Sequence, residues 1–162
     1  MRRIMTKSFN MRWAIIDDYP SIGEVMYDAV RSGKSKYSDA QRSAWMPEAR
    51  SGDEWNIRLA QQDIILCEDN TQIVGFMSLA PKAYIDFAFI RPSAQGRGLF
   101  RKLYNEIENL AQKHNEPRLW VHASLMAQPA FSAVGFTIIK EETVAMRGQD
   151  FNRFEMEKNL AI

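Results

Sequence analysis

The residues that could do chemistry begin with Gln95-Gly96-Arg97-Gly98-Leu99-Phe100. A β-prone apolar run over residues 84–90 ends at Pro92, and apolar residues recur at Leu99, Leu103, Ile107 and Leu110. That is the pattern of strand, tight turn, helix. Gly96 and Gly98 remove side chains just where the first helical amides lack intrahelical acceptors, so those amides can meet an anion directly. Gln95 and Arg97 add side-chain donors. Arg101 and Lys102 put positive charge in a first turn where the helix dipole alone favours acids. A phosphate-bearing ligand accounts for that choice.

Two phosphate loops are excluded by the letters alone. A Walker A loop needs Lys-Ser/Thr after its last glycine, and Gly98 is followed by Leu99 and Phe100. A dinucleotide fingerprint needs a third glycine where Arg101 stands.

The elements that must position this loop fit in one domain over residues 1–162, and the chain is long enough for a sizeable core. The net charge of +1 argues against nucleic acid or an anionic membrane as partner. Arg97, Arg101 and Lys102 are only a local cluster. The lone Cys67 excludes an internal disulfide and a Cys-rich metal site, and its apolar surroundings read as core. No metal site is expected. The basic opening, residues 1–7, precedes no long apolar segment, so neither a signal peptide nor a membrane span is expected, and the location is read as cytoplasmic.

Along the chain, a strand is read at residues 11–16, then Asp17, Asp18 and Pro20 announce a helix with the stripe Ile22, Val25, Met26, Ala29, Val30, ended by Gly33. Ser38 and Gln41 form a capping box for a short helix with Trp45, and Ser51 with Glu54 repeats the pattern before Trp55 and Leu59. A hairpin over 64–67 and 73–79 and a strand over 84–90 follow. After the loop's helix come a strand at 118–123, a helix at 128–134, and strands at 136–146 and 151–158 turned by Gly148-Gln149. The order predicts an α/β domain with a mixed, mostly antiparallel sheet of six to seven strands and about four helices.

The segment Ile90-Arg91-Pro92 followed by Gln95-Gly96-Arg97-Gly98-Leu99-Phe100 resembles the acetyl-CoA pyrophosphate loop of the GNAT superfamily of N-acyltransferases. Phe100 departs from the small residue usual there. Ser124, Ala127, Ala130, Phe131, Gly135 and Phe136 resemble a second motif of that superfamily, and the element order is similar along nearly the whole chain. Tyr37-Ser38, Gln41, Ala44-Trp45, Pro47, His122-Ala123-Ser124, Arg147-Gly148 and Met156-Glu157-Lys158 resemble the YafP-like branch of bacterial acetyltransferases.

The resemblance implies acetyl-CoA as acyl donor, held by the backbone of Ala88 and Ile90 and by Gln95, Gly96, Arg97, Gly98, Leu99 and Phe100. It implies an N-acetyltransferase in which an amine attacks directly within a ternary complex. The nucleophile must be neutral although an alkylamine has a pKa of about 10, so some base takes a proton. Asp86 is the first candidate, as the counterpart of a carboxylate common in relatives; the alternative is a structural or substrate-binding carboxylate. His122, on one strand face with Trp120 and Ser124, is the second. The superfamily often uses a tyrosine to reprotonate the thiolate, and that position is Phe131 here. Ser124 and Tyr84 are the remaining hydroxyls. Tyr37, Gln41 and Trp45 fall in the segment that covers the acceptor pocket; they share one face if their helix begins early, and aromatic walls would suit a cationic or aromatic amine. The alternative for Trp45 and Trp55 is core anchoring. A small-molecule amine is expected as acceptor, and the hairpin at 136–158 would permit a homodimer. The competing reading is a non-catalytic acyl-CoA-binding regulatory module.

Overall fold

The computed structural model describes residues 9–160. The basic opening therefore lies outside the described residues. Seven strands form one sheet: β1 (Phe9–Trp13), β2 (Asp63–Asp69), β3 (Gln72–Ala80), β4 (Tyr84–Ile90), β5 (Arg118–Ser124), β6 (Thr137–Met146) and β7 (Gln149–Asn159). Their spatial order is β1-β2-β3-β4-β5-β7-β6, and only β4 and β5 run parallel. The helices α1 (Tyr19–Ser32), α2 (Asp39–Trp45) and α3 (Asp53–Ala60) lie on one face, with α4 (Leu99–Lys113) and α5 (Gln128–Ala133) on the other. Among the described residues no helix is long and apolar enough to cross a membrane.

The two cores follow from the stripes. Ile22, Val25, Met26 and Val30 of α1 pack with Trp55 and Leu59 of α3 on one face of the sheet. On the other, Leu99, Leu103 and Ile107 of α4 meet Cys67, Met77 and Ile85. Tyr104 and Ala111 complete the α4 stripe, while Leu110 is half-buried. Each such burial contributes roughly 1.5–3 kcal/mol.

Three local expectations change. The first strand ends at Trp13, because the Asp18 carboxylate accepts from the Ile15 amide at 2.8 Å and from both terminal nitrogens of Arg12, turning the chain into a 3₁₀ turn at Ile16–Asp18. The Ser38–Gln41 capping box forms, but Ser51 caps nothing: the residue before α3 is Gly52, whose φ of 94° redirects the chain one residue later. The last hairpin turns at Arg147-Gly148, both with positive φ, as a two-residue hairpin prefers.

Two irregularities place the site. The β4–β5 ladder contains only the pairs Tyr84–Trp120 and Ile85–Val121, after which the strands part. On the other side of β4, Met77 pairs with Ala88 and Leu79 with Ile85, so Asp86 and Phe87 share the place opposite Ser78 in a bulge. The Phe87 amide donates to the fully buried Ser78 Oγ at 3.1 Å. The bulge re-phases the strand: Ile85 packs with α4, Phe87 and Phe89 with α1 and α3, and Ala88 and Ile90 against the α4 side again.

Replacing Ser78 by Ala leaves the buried Phe87 amide without its acceptor. The expected loss is about 1–3 kcal/mol, read as a lower urea midpoint with unchanged slope.

Candidate active site

Where β4 and β5 part, two cavities meet. One, of about 280 Å³, runs from Lys34 and Ser35 after α1, past Ala88, Phe89 and Ile90, to the loop of Gln95, Gly96, Gly98, Leu99 and Phe100. The other, of about 260 Å³, opens between the strands and is lined by Tyr84, Asp86, His122, Arg50, Arg58 and Arg153 among others. They share Trp45, Ala88, Phe89, Ser124 and Ala127.

The loop is built for close approach. Gly96 and Gly98 have φ of 77° and 75°, and a Cβ on either would meet nothing within 4 Å. Among the described residues the amides of Gly96, Arg97 and Gly98 make no backbone hydrogen bond, and α4 carries no acid in its first turn. This is an anion cradle. Leu99 is buried and lends only backbone, while Phe100 packs edge-on against Phe131, ring centres 5.0 Å apart. Gln95 is exposed, and its Nε2 donates one hydrogen bond to the Ile90 carbonyl at 3.1 Å, which shapes the loop and leaves its second N–H free. Arg97 is exposed and lines neither cavity. Lys34, which no local pattern singled out, stands at the mouth.

Asp86 sits among donors. Arg58 grips it with two hydrogen bonds of 2.8 and 2.9 Å, and Gln62 Nε2 adds a third at 2.7 Å. A carboxylate so held has little lone-pair capacity left. The Asp86 side chain is 13% exposed, and the paired guanidinium is not legible from local sequence, since Arg58 lies on α3.

His122 is arranged differently. Its Nδ1 lies 2.9 Å from the Tyr84 hydroxyl, and its Nε2 is 3.5 Å from carboxylate oxygens of both Glu142 and Glu155. Two carboxylates around Nε2 favour the tautomer with its proton there, leaving Nδ1 to accept from Tyr84. Burial, then the charge of Arg153, hold the imidazole below the usual histidine range, against the opposing pull of Glu142 and Glu155. Burial likewise pushes the Tyr84 phenol up, with the Asp86 charge adding to it. At neutral pH the pair is therefore a neutral imidazole and a neutral phenol.

The helical cover differs from expectation. Because α2 starts at Asp39, Tyr37 precedes the helix and does not share a face with Gln41 and Trp45. Tyr37 is buried and spans the fold, its hydroxyl donating to the Asn152 carbonyl and accepting from the Leu125 amide. Gln41 is engaged at both ends of its amide, Oε1 closing the capping box and Nε2 donating to the Asp150 carbonyl. Trp45 is half-buried and forms the partition between the cavities, edge to face with Tyr37 and tilted against Phe89. Trp55 is a core anchor, 4% exposed, donating to the Tyr19 carbonyl. Ser124 Oγ accepts from the Ala127 amide and faces both cavities. Phe131 is 1% exposed between Phe100 and Phe136.

Comparison with known proteins matches residues 34–159 to the acetyltransferase (GNAT) domain family. The chain belongs to this family. It is 32% identical to the uncharacterized N-acetyltransferase YafP of Escherichia coli K12 over 140 residues, 86% of this chain and 88% of YafP. A GCN5-related N-acetyltransferase structure from Rhodopseudomonas palustris superposes with a TM-score of 0.88 at 25% identity, over 96% of this chain and 99% of that one. The fold also matches YncA of Salmonella typhimurium, solved with its cofactor acetyl-CoA, with a TM-score of 0.69 at 18% identity over 96% and 95% of the two chains. The GNAT sheet is mixed and seven-stranded in this chain, as its element order predicts.

Arg153 lowers the His122 pKa and also holds Glu142 at 2.8 Å. Arg153→Gln removes the repulsion and releases Glu142, so the His122 titration moves upward. Imidazole NMR, assigned by His122→Gln, reads the shift; an unchanged or lower value contradicts this electrostatic account.

Proposed function

We propose that this GNAT chain is an acetyl-CoA-dependent N-acetyltransferase whose acceptor is a small primary amine, acetylated by direct attack in a ternary complex. One observation carries the reading: the cavity ending at the glycine loop and the cavity holding the Tyr84–His122 pair meet at Ala88 and Ser124 where β4 and β5 part. The residues present fit the donor. The open glycine cradle suits a pyrophosphate, and beyond Ile85 the inner edge of β4 is left without a ladder, as an extended pantetheine arm requires.

Acetyl-CoA, when bound, supplies an activated thioester with a tolerable thiolate leaving group. The chain's own residues handle protons and position. The amine's proton passes to Tyr84 Oη as the Tyr84 proton passes to His122 Nδ1, and the imidazolium so formed lies beside Glu142 and Glu155. Tyr84, and Ser124 in the shared passage, are the hydroxyls available to return a proton, since Phe131 has none. Asp86 is assigned to positioning, because its oxygens are already held by Arg58 and Gln62. Its earlier place as first candidate base passes to His122.

A non-catalytic acyl-CoA-binding module is favoured by one feature, the missing hydroxyl at Phe131. Release of free CoA thiol in the presence of amines separates the two readings.

Neutral His122 is the active form and its pKa lies below the usual value, so kcat falls as pH drops through that pKa and is level at neutral pH. His122→Gln removes the acid-side inflection and lowers kcat about 10²- to 10⁴-fold, whereas Asp86→Asn keeps the inflection. The reverse pattern returns the role of base to Asp86.

Gly98→Asp adds a carboxylate to the anion cradle. Acetyl-CoA affinity by calorimetry is expected to fall about a hundredfold, as for two or more lost charge-assisted hydrogen bonds. Unchanged affinity contradicts the loop assignment.

A further inference from the structure

The acceptor cavity is lined by arginines that are not equivalent. Arg58 is paired with Asp86 and Arg153 with Glu142. Arg147 lines the adjoining open cleft and donates to the Ala44 carbonyl at 2.7 Å. Arg50 lines both this cleft and the acceptor cavity, and among the described residues it has no hydrogen bond and no ion pair. Its one direct partner is the Trp55 ring, 5.8 Å from the guanidinium carbon. Glu48 and Glu54 line the cleft but are exposed and form no ion pair with it.

Arg50 is also held in place. A Cβ on Gly23 of α1 would come within 2.0 Å of the Arg50 carbonyl oxygen, so helix and loop are in backbone contact there. The residue is half-buried, and the charges of Arg58 and Arg147 act against its own, with Asp86 the carboxylate that opposes them. An unpaired, partly desolvated cation beside two others is costly unless an anion arrives. Asp86, the carboxylate that acts on Arg50, is bonded to Arg58 and Gln62 and forms no ion pair with it. The anion must come with the ligand.

We propose that the acceptor is an amino acid or similar amine bearing an oxyanion, carboxylate or phosphate, which Arg50 receives with Arg147 beside it while the amine faces Tyr84 and His122. This rests on reading the cavity as the acceptor site. A fork of N–H donors matches a carboxylate or phosphate in two-point contact. The cavity's volume of about 260 Å³ suits a molecule of amino-acid size. The same positive lining disfavours a polyamine, which revises the expectation that aromatic walls would select a cationic amine.

The test uses the full chain with acetyl-CoA and matched acceptors: amino acids against their carboxamides, phosphoethanolamine against ethanolamine, and spermidine. Thiol release is expected to give the acidic member of a pair a kcat/KM about 10- to 100-fold above its neutral partner, the worth of a charge-assisted contact. The pair with the larger ratio tells carboxylate from phosphate. Arg50→Gln abolishes the ratio through KM, Arg50→Lys keeps part of it, and acetyl-CoA affinity by calorimetry is unchanged in both. Equal or inverted ratios in the unaltered chain, or a ratio that survives in Arg50→Gln, overturn the proposal. Calorimetry with N-acetylated amino acids and their amides on the CoA-loaded protein provides a readout independent of turnover. Tighter binding of the acids, lost in Arg50→Gln, supports the anion subsite even if no amine is acetylated, and indifference to the carboxylate overturns it.

Discussion

A parallel ladder that stops after two residue pairs governs this molecule. Had β4 and β5 stayed paired beyond Ile85 and Val121, the backbone edges of residues 86–90 and 122–124 would have satisfied one another and the sheet would be closed. Because they part, each strand presents unpaired groups to a space between the two helical layers. Buried backbone polar groups need partners, so the opening must admit water or an extended ligand. The glycine loop at one end and the imidazole–phenol pair at the other acquire a relation to each other only through that opening.

The bulge at Asp86–Phe87 is the second constraint, and it acts on chemistry through phase. One extra residue changes which face each later side chain takes. Phe87 and Phe89 thereby join the α1–α3 core, Ala88 and Ile90 turn toward the α4 side, and Asp86 comes within reach of Arg58 and Gln62. Ser78 replaces the lost ladder acceptor with its hydroxyl. A buried polar residue in the middle of β3 is thus what the irregular strand requires.

Charge is distributed so that the carboxylate of Asp86 and those of Glu142 and Glu155 have opposite consequences. Asp86 is clamped by a guanidinium and an amide, which fixes its position and occupies its oxygens. Glu142 and Glu155 instead flank the histidine, where they set its tautomer and stand ready to balance a positive ring. Arg153 holds Glu142 and repels the ring. The neutral imidazole follows chiefly from burial, with this balance adjusting it.

The sequence by itself determined the parts whose signals are local. The stripe of α1, the Ser38–Gln41 box, the hairpins and the strand at Tyr84–Ile90 are periodicities or cap chemistries readable within a few residues. So is the run from Gln95 to Phe100, since glycine at positive φ before a helix is a property of consecutive positions. Local reading went astray at Ser51, where backbone direction at Gly52 overrides cap chemistry, and at Tyr37, two residues ahead of its helix. Only the tertiary structure decided which groups are available for chemistry. Asp86 meets Arg58 across 28 residues and His122 meets Tyr84 across 38, through the split and the bulge. Arg50, distant in sequence from both strands, enters the site because α1 and α3 carry its loop there. A residue's protonation and pairing are set by whatever the fold brings within a few ångströms, and spacing along the chain does not encode that.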